Sequence, residues 1–388
     1  MAGLLLFCDP ASGIEWETLF AIAPQYRLFL DTPEYLGQSG SGPSLALRAK
    51  VQGLWNDGED IFTFIPFYRC DGQDKNRTHG DIRQASWTKV GEGWQLLLGI
   101  GKVFWGVTES QHLVDVINQT DLVENPNGEE KLGQPMLDLT FLKDWGTLDV
   151  FVLYGFRERT FPGSAGRLRG GVPVDKTLAV VEDGSWDIDL ATRWSHTIGD
   201  WDLALSHFSG TSREPTLTLA ESSMGEAVLQ PVYPSINQSG LEVQVTKGAW
   251  LWKLEAIRRL GGDQDHSASV FGFEYTYYGM LDTVADLGLL AEYHYDTRGR
   301  DATTGLANDL FLGLRWMAND VADTNILLGG MFGMDDDGNF YTLEGSRRFG
   351  NNIKLSIDGK YYTRPATQDV FYDWRADSYV QVELKFFF

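Results

Sequence analysis

Three arginines, Arg48, Arg69 and Arg83, fall on three successive alternating segments of the chain, with Lys50 on the face of Arg48. Further on, the stretch 109–134 carries Asp115, Asp121, Glu124, Glu129 and Glu130, and Lys131 is its only Lys or Arg. A guanidinium stays charged at any working pH. Set against carboxylates across a narrow gap, it makes a transverse field that orients dipolar solutes. Arg157 and Arg193 extend the basic set along later segments. The chemistry expected of these residues is electrostatic guidance, not bond-making.

Bond-making chemistry has little to stand on. The six histidines form no HExxH and no close pair, and Cys8 and Cys70 form no CxxC. No metal and no cofactor is therefore expected. His207 lies beside Ser206, and His196 beside Ser195. Neighbours on one strand point to opposite faces, so neither pair can meet. His207 and Ser209 share a face, but it is the face read as lipidic. No catalytic residue is expected, and a hydrolase is the least favoured reading.

The elements that carry these residues are strands. The chain has 388 residues, with 43 Gly, 13 Trp, 15 Tyr and 22 Phe, and a net charge of −22. That charge argues against a nucleic-acid partner, because phosphate binding needs cations. The aromatic content argues against disorder. No apolar run approaches the ~18 residues of a spanning helix. From Glu15 onward the pattern is period-two alternation. Trp186, Ile188, Leu190, Thr192 and Trp194 share one face, while Asp187, Asp189, Ala191 and Arg193 share the other. The pattern predicts strands over 15–30, 44–55, 60–69, 81–90, 94–108, 135–145, 147–160, 186–198 and 200–209. It predicts nine more over 240–247, 249–260, 267–279, 286–296, 309–318, 324–334, 339–349, 352–362 and 378–388. Short Gly/Asn/Asp turns alternate with mostly longer loops, as in an up-and-down barrel. The expected fold is all-β: a closed antiparallel transmembrane barrel of sixteen to eighteen strands, eighteen preferred, occupying 14–388. A miscount is most expected near 210–247, where a long connection can hide another pair. Trp residues recurring at strand ends, among them Trp94, Trp105, Trp186, Trp201 and Trp250, are expected in interfacial girdles.

The chain closes Tyr379-Val380-Gln381-Val382-Glu383-Leu384-Lys385-Phe386-Phe387-Phe388. An alternating last strand ended by Phe resembles the assembly signal of Gram-negative outer-membrane barrels, with Phe386 and Phe388 as its outward residues. The loop after the fifth strand, 109–134, is similar in position to the constriction loop of porins, and Arg48, Arg69 and Arg83 stand where porins place an arginine wall. The resemblance implies a porin-like channel for small hydrophilic solutes in the bacterial outer membrane. The alternatives are a barrel for hydrophobic substrates or part of an export system. It further implies contact with outer-membrane lipid and lipopolysaccharide, handling by the barrel-assembly machinery, and room for a homo-oligomer. At the other end, the apolar run Leu4–Cys8, followed by small residues before Ile14, reads as the end of a secretory signal over 1–13.

Overall fold

A computed structural model of the chain describes residues 5–9, 13–182, 184, 187–335, 338–363, 367, 369 and 371–388. It is a closed antiparallel barrel of 18 strands. In chain order these are β1 (Ile14–Phe29), β2 (Ser41–Trp55), β3 (Asp60–Asp71), β4 (His79–Gly91), β5 (Trp94–Gly101), β6 (Gln134–Lys143), β7 (Gly146–Tyr154), β8 (Ile188–Ile198) and β9 (Trp201–Thr211). The circuit continues with β10 (Ser235–Lys247), β11 (Trp250–Gly261), β12 (His266–Tyr277), β13 (Asp286–Asp296), β14 (Asn308–Met317), β15 (Asn325–Gly333), β16 (Phe340–Phe349), β17 (Ile353–Tyr362) and β18 (Tyr379–Phe387). Each strand pairs with its neighbours in sequence. The seam joins β18 to β1, from Ala21↔Phe387 to Phe29↔Tyr379. A short strand, Leu5–Asp9, pairs with the first residues of β1.

Period-two alternation decides which way each side chain points. On β1, Phe20, Ile22, Tyr26 and Leu28 are exposed, while Ala21, Ala23, Gln25 and Arg27 between them are buried. Exposed Leu, Phe and Tyr recur at alternate positions around the circuit. Such a surface suits hydrocarbon, where Arg or Lys at mid-depth costs ~2–4 kcal/mol. Charged side chains accordingly collect inside. Near the short turns, Trp145, Trp201, Trp250 and Trp252 are exposed, as an interfacial girdle requires. Trp105 departs from the expectation. It is buried in the interior, because the chain has already left the wall there. Trp186 lies outside the described residues.

Three expected boundaries need correction. The fifth strand stops at Gly101 instead of 108, so the inner loop spans 102–133. The seventh stops at Tyr154 instead of 160, which puts Arg157 and Arg159 on a loop. The tenth starts at Ser235 instead of 240. The long connection before it does hide a hairpin, Thr216–Glu221 with Ala227–Tyr233. This hairpin joins Val180–Val181 in a separate three-stranded sheet and adds nothing to the barrel wall. Its alternation is the same as a wall strand's, so periodicity could not separate the two.

Candidate functional site

The loop 102–133 runs through the inside of the barrel and is held by both walls. On the β3–β4 side, Arg69 donates to Glu124 in a two-pronged pair, Nε to Oε2 at 2.6 Å and Nη2 to Oε1 at 2.5 Å. Arg69 also donates to the Ser44 hydroxyl at 2.7 Å. Arg83 Nη2 donates to Asp121 Oδ2 at 2.5 Å, and His79 Nε2 meets the same oxygen at 2.9 Å. Thr160 donates its hydroxyl to the other oxygen at 2.8 Å. Burial favours the neutral form of Asp121, but His79 and Arg83 outweigh it and hold its pKa down to about 2. Glu124 is likewise buried, and Arg69 keeps its pKa below the usual value. Behind the loop, burial and the nearby Arg27 and Arg69 lower the Arg77 pKa to about 10.

The other end of the loop docks on strands β11 and β13, across the ring from β3 and β4. Glu255, fully buried on β11, accepts the amides of Val107 (2.7 Å) and Thr108 (3.0 Å) and the Thr108 hydroxyl (2.6 Å). Its second oxygen accepts the Val114 amide at 3.3 Å. Glu292 on β13 accepts the amides of Glu109 (2.8 Å) and Ser110 (2.9 Å) and the Ser110 hydroxyl (2.5 Å). Arg315 on β14 donates to Glu109 at 2.6 Å. Gly106 makes this approach possible. Its φ is +137°, and a Cβ there would stand 2.9 Å from Glu255 Oε1. Alternation already puts Glu255 and Glu292 among the inward-facing acids, but not their role as anchors, since their partners are backbone amides that residue types do not announce. Sequence reasoning missed the Ser110–His294 contact of 2.8 Å. That contact anchors the loop. Glu292 shares the Ser110 hydroxyl and takes the two nearest amides, so they are not free to stabilise an oxyanion.

The crossing loop divides the lumen unequally. Trp105, Val114, Val116 and Ile117 of the loop pack against Met136, Phe151, Leu153, Phe208, Ile236 and Ile257 of the wall between β6 and β11. That half is filled by an apolar core. Open space remains on the other side. A cavity of about 350 Å³ lies between the loop and the wall that carries Phe311, Met331, Phe340 and Glu344. A second, of about 280 Å³, lies between Asn125–Glu130 and β15–β18 with Gln25 of β1. Asn127, Glu129 and Glu344 line both cavities. A third, of about 560 Å³, lies at the short-turn end beside Arg193 and Glu242.

The residues singled out from sequence come together in part. Arg69, Arg83, Asp121 and Glu124 meet, but not as opposed charges across a gap. They are in contact and buried, at 1%, 3%, 0% and 8% exposure, and so they neutralise one another. Asp115 does not face the arginines. It pairs with Lys131 of its own loop at 3.2 Å, and burial raises its pKa. Arg48 lies 4.0 Å from Glu130, and Lys50 is exposed on the same inward face of β2. Arg157 reaches Asp81 at 2.7 Å from the loop after β7. Arg193 forms a two-pronged pair with Glu242 at 2.9 and 3.0 Å. Phe386 and Phe388 sit at the seam, where Phe388 exchanges backbone hydrogen bonds with Phe20. His207 is exposed on the outer face, 3.0 Å from Ser239. Among the described residues no group of three His, Cys, Asp or Glu could hold a metal ion.

No family model and no curated protein matches the chain. Solved structures do. OccAB3 of Acinetobacter baumannii is 8% identical and superposes with a TM-score of 0.58 over 96% of this chain and 99% of that one. OccD3 (OpdP) of Pseudomonas aeruginosa is 10% identical, with a TM-score of 0.56 over 100% and 93%. OccK9 (OpdG) of the same organism is 10% identical, with a TM-score of 0.55 over 97% of each chain. The chain thus shares with these structures the fold of a closed antiparallel β-barrel.

Proposed function

We propose that the chain is a porin-like channel for passive diffusion of small hydrophilic solutes across a bacterial outer membrane. One observation carries the reading. The inner loop packs half of the lumen shut, yet leaves two cavities along the remaining wall that share Asn127, Glu129 and Glu344 in their linings. Eighteen strands enclose more space than wall side chains alone fill. The loop narrows that space to a passage with charged and amide groups on both sides. Arg69, Arg83, Asp121 and Glu124 act here as the clamp that fixes the width of the passage. The apolar outer belt meets lipid, with lipopolysaccharide at the long-loop end. The assembly machinery reads the outward Phe386 and Phe388. On this reading 1–13 is the end of an export leader, and the mass of the protein recovered from outer membranes would start at Ile14.

Planar bilayers test the proposal directly. Purified protein should produce discrete, ohmic conductance steps. Protein that inserts and stays folded, yet passes no current and no sugar into liposomes, would overturn it.

A further inference from the structure

We infer that the passage selects for small cations, and that Glu129 of the loop and Glu344 of β16 set this preference. The inference rests on the channel reading above and names its solute class. It begins with the arginines, which at first sight should favour anions. Arg69 and Arg83 are almost wholly buried, and each is locked to a loop carboxylate at 2.5 Å. Their charge is cancelled before a solute meets it. The cavity below the loop has Glu124, Glu129, Glu130, Glu344, Asp358 and Glu383 in its wall, and no Lys or Arg among the described residues. Glu124 is spent on Arg69. Glu130 lies near Arg48 and Lys102, at 4.0 and 3.8 Å. Glu383 pairs with Lys385 at 3.2 Å. Glu129, Glu344 and Asp358 remain, with no Lys or Arg nitrogen within 4.0 Å among the described residues.

Position gives two of these three their weight. Among the described residues, Glu129 and Glu344 are the only charged ones that line both cavities, which puts both carboxylates where a solute would cross from one cavity to the other. Two opposing groups, His112 of the loop and Lys360 of β17, line the upper cavity, and the Lys360 ammonium sits over the Phe340 ring at 5.5 Å. In the upper cavity wall, Arg213, Arg259, Arg298 and Lys131 are paired with Asp189, Glu214, Asp296 and Asp115, and Arg159 donates to the Arg213 carbonyl. Lys50 and Lys354 face the lumen nearer the short turns, outside the wall of either cavity. A charge ring at a constriction governs selectivity more than charges in a wide vestibule, where water and salt screen them.

Reversal potentials in a KCl gradient across planar bilayers test the inference on the full chain. The parent should prefer K⁺ over Cl⁻, and the preference should shrink as salt rises from 0.1 to 1 M, because the Debye length falls from ~10 to ~3 Å. Glu129→Gln and Glu344→Gln should each lower the ratio, and together bring it to unity or below. Glu226→Gln, in the outer hairpin, should keep the parent ratio. A parent that conducts but prefers Cl⁻, or a double variant that conducts with an unchanged ratio, overturns the inference and leaves the channel reading standing. Absence of any conductance overturns both.

Discussion

At the scale of single residues, the interior works by neutralisation. Arg69 and Glu124 are paired at 2% and 8% side-chain exposure. Removing one partner of a buried pair costs ~3–5 kcal/mol, mostly because the other charge is stranded. Arg69→Met should therefore loosen the loop, read as new protease cleavage within 102–133 and noisier current. Arg69→Met with Glu124→Leu removes both charges and should restore most of the resistance. If the double variant is as labile as the single, the pair is not the clamp. Asp121 adds a pH dependence. Its folded pKa of about 2 lies below the ordinary aspartate value of 3.8. A depressed carboxylate stabilises the folded state above the unfolded pKa and loses that contribution as pH falls through the folded value. Docking through Asp121 should hold at pH 4–5 and weaken from about pH 4 toward pH 2. Loop cleavage by an acid-active protease across that range is the measurement, and a step at pH 5–6 would contradict the assignment.

At the scale of elements, the loop behaves as a beam fixed at both ends. Its far end depends on Glu255 and Glu292, which between them accept five backbone amides. A hydrogen bond to a charged group contributes ~1.5–3 kcal/mol, and orphaned amides cost more. Glu255→Ala with Glu292→Ala should free the 107–114 tip and raise single-channel conductance. The compact band of unheated protein on SDS gels should persist, because the wall ladders are untouched. Unchanged conductance would show that the two carboxylates are dispensable and that the tip is held by the packing of Val114 and Ile117 with the Arg315–Glu109 and Ser110–His294 contacts. The wall was legible from sequence, since alternation, turn chemistry and an even strand count all point to one architecture. The near end of the loop was legible in part: acids on the loop and arginines on β3 and β4 were recognisable, but whether they touch or face each other across water depends on loop path. The far end was not legible. Glu255 and Glu292 look like any inward-facing residue, and nothing in an alternating strand says that backbone amides arrive from elsewhere. The early end of β5 was hidden for a related reason: Val103 and Trp105 continue the apolar alternation of a strand while packing into the interior.

At the scale of the whole molecule, closure depends on its two ends meeting. A sheet of 18 strands has no edge only if β18 finds β1, and an open edge in hydrocarbon leaves backbone groups unpaired at several kcal/mol each. The ladder runs to the last residue. The Phe388 amide donates to the Phe20 carbonyl at 2.9 Å, and the Phe388 carbonyl accepts from the Phe20 amide at 3.2 Å. Val380, Val382, Leu384 and Phe388 are all exposed on the outward face, so the last strand also continues the apolar belt. Deleting Phe388 removes two seam hydrogen bonds and the outward ring together. Membrane yield of the deletion should fall well below the parent, and the recovered protein should lose its compact migration on unheated gels. Met224→Ala, at an exposed tip of the outer hairpin, is the matched control, since Met224 is 82% exposed and lies outside the wall. Phe388→Tyr separates the two contributions. It keeps the backbone pairs and an aromatic ring, so it should assemble like the parent, whereas Phe388→Ala keeps only the backbone pairs. If the alanine variant matches the parent and the deletion does not, the seam hydrogen bonds dominate. Equal yields for the deletion and the parent would show that β18 and β1 find each other without their final residue.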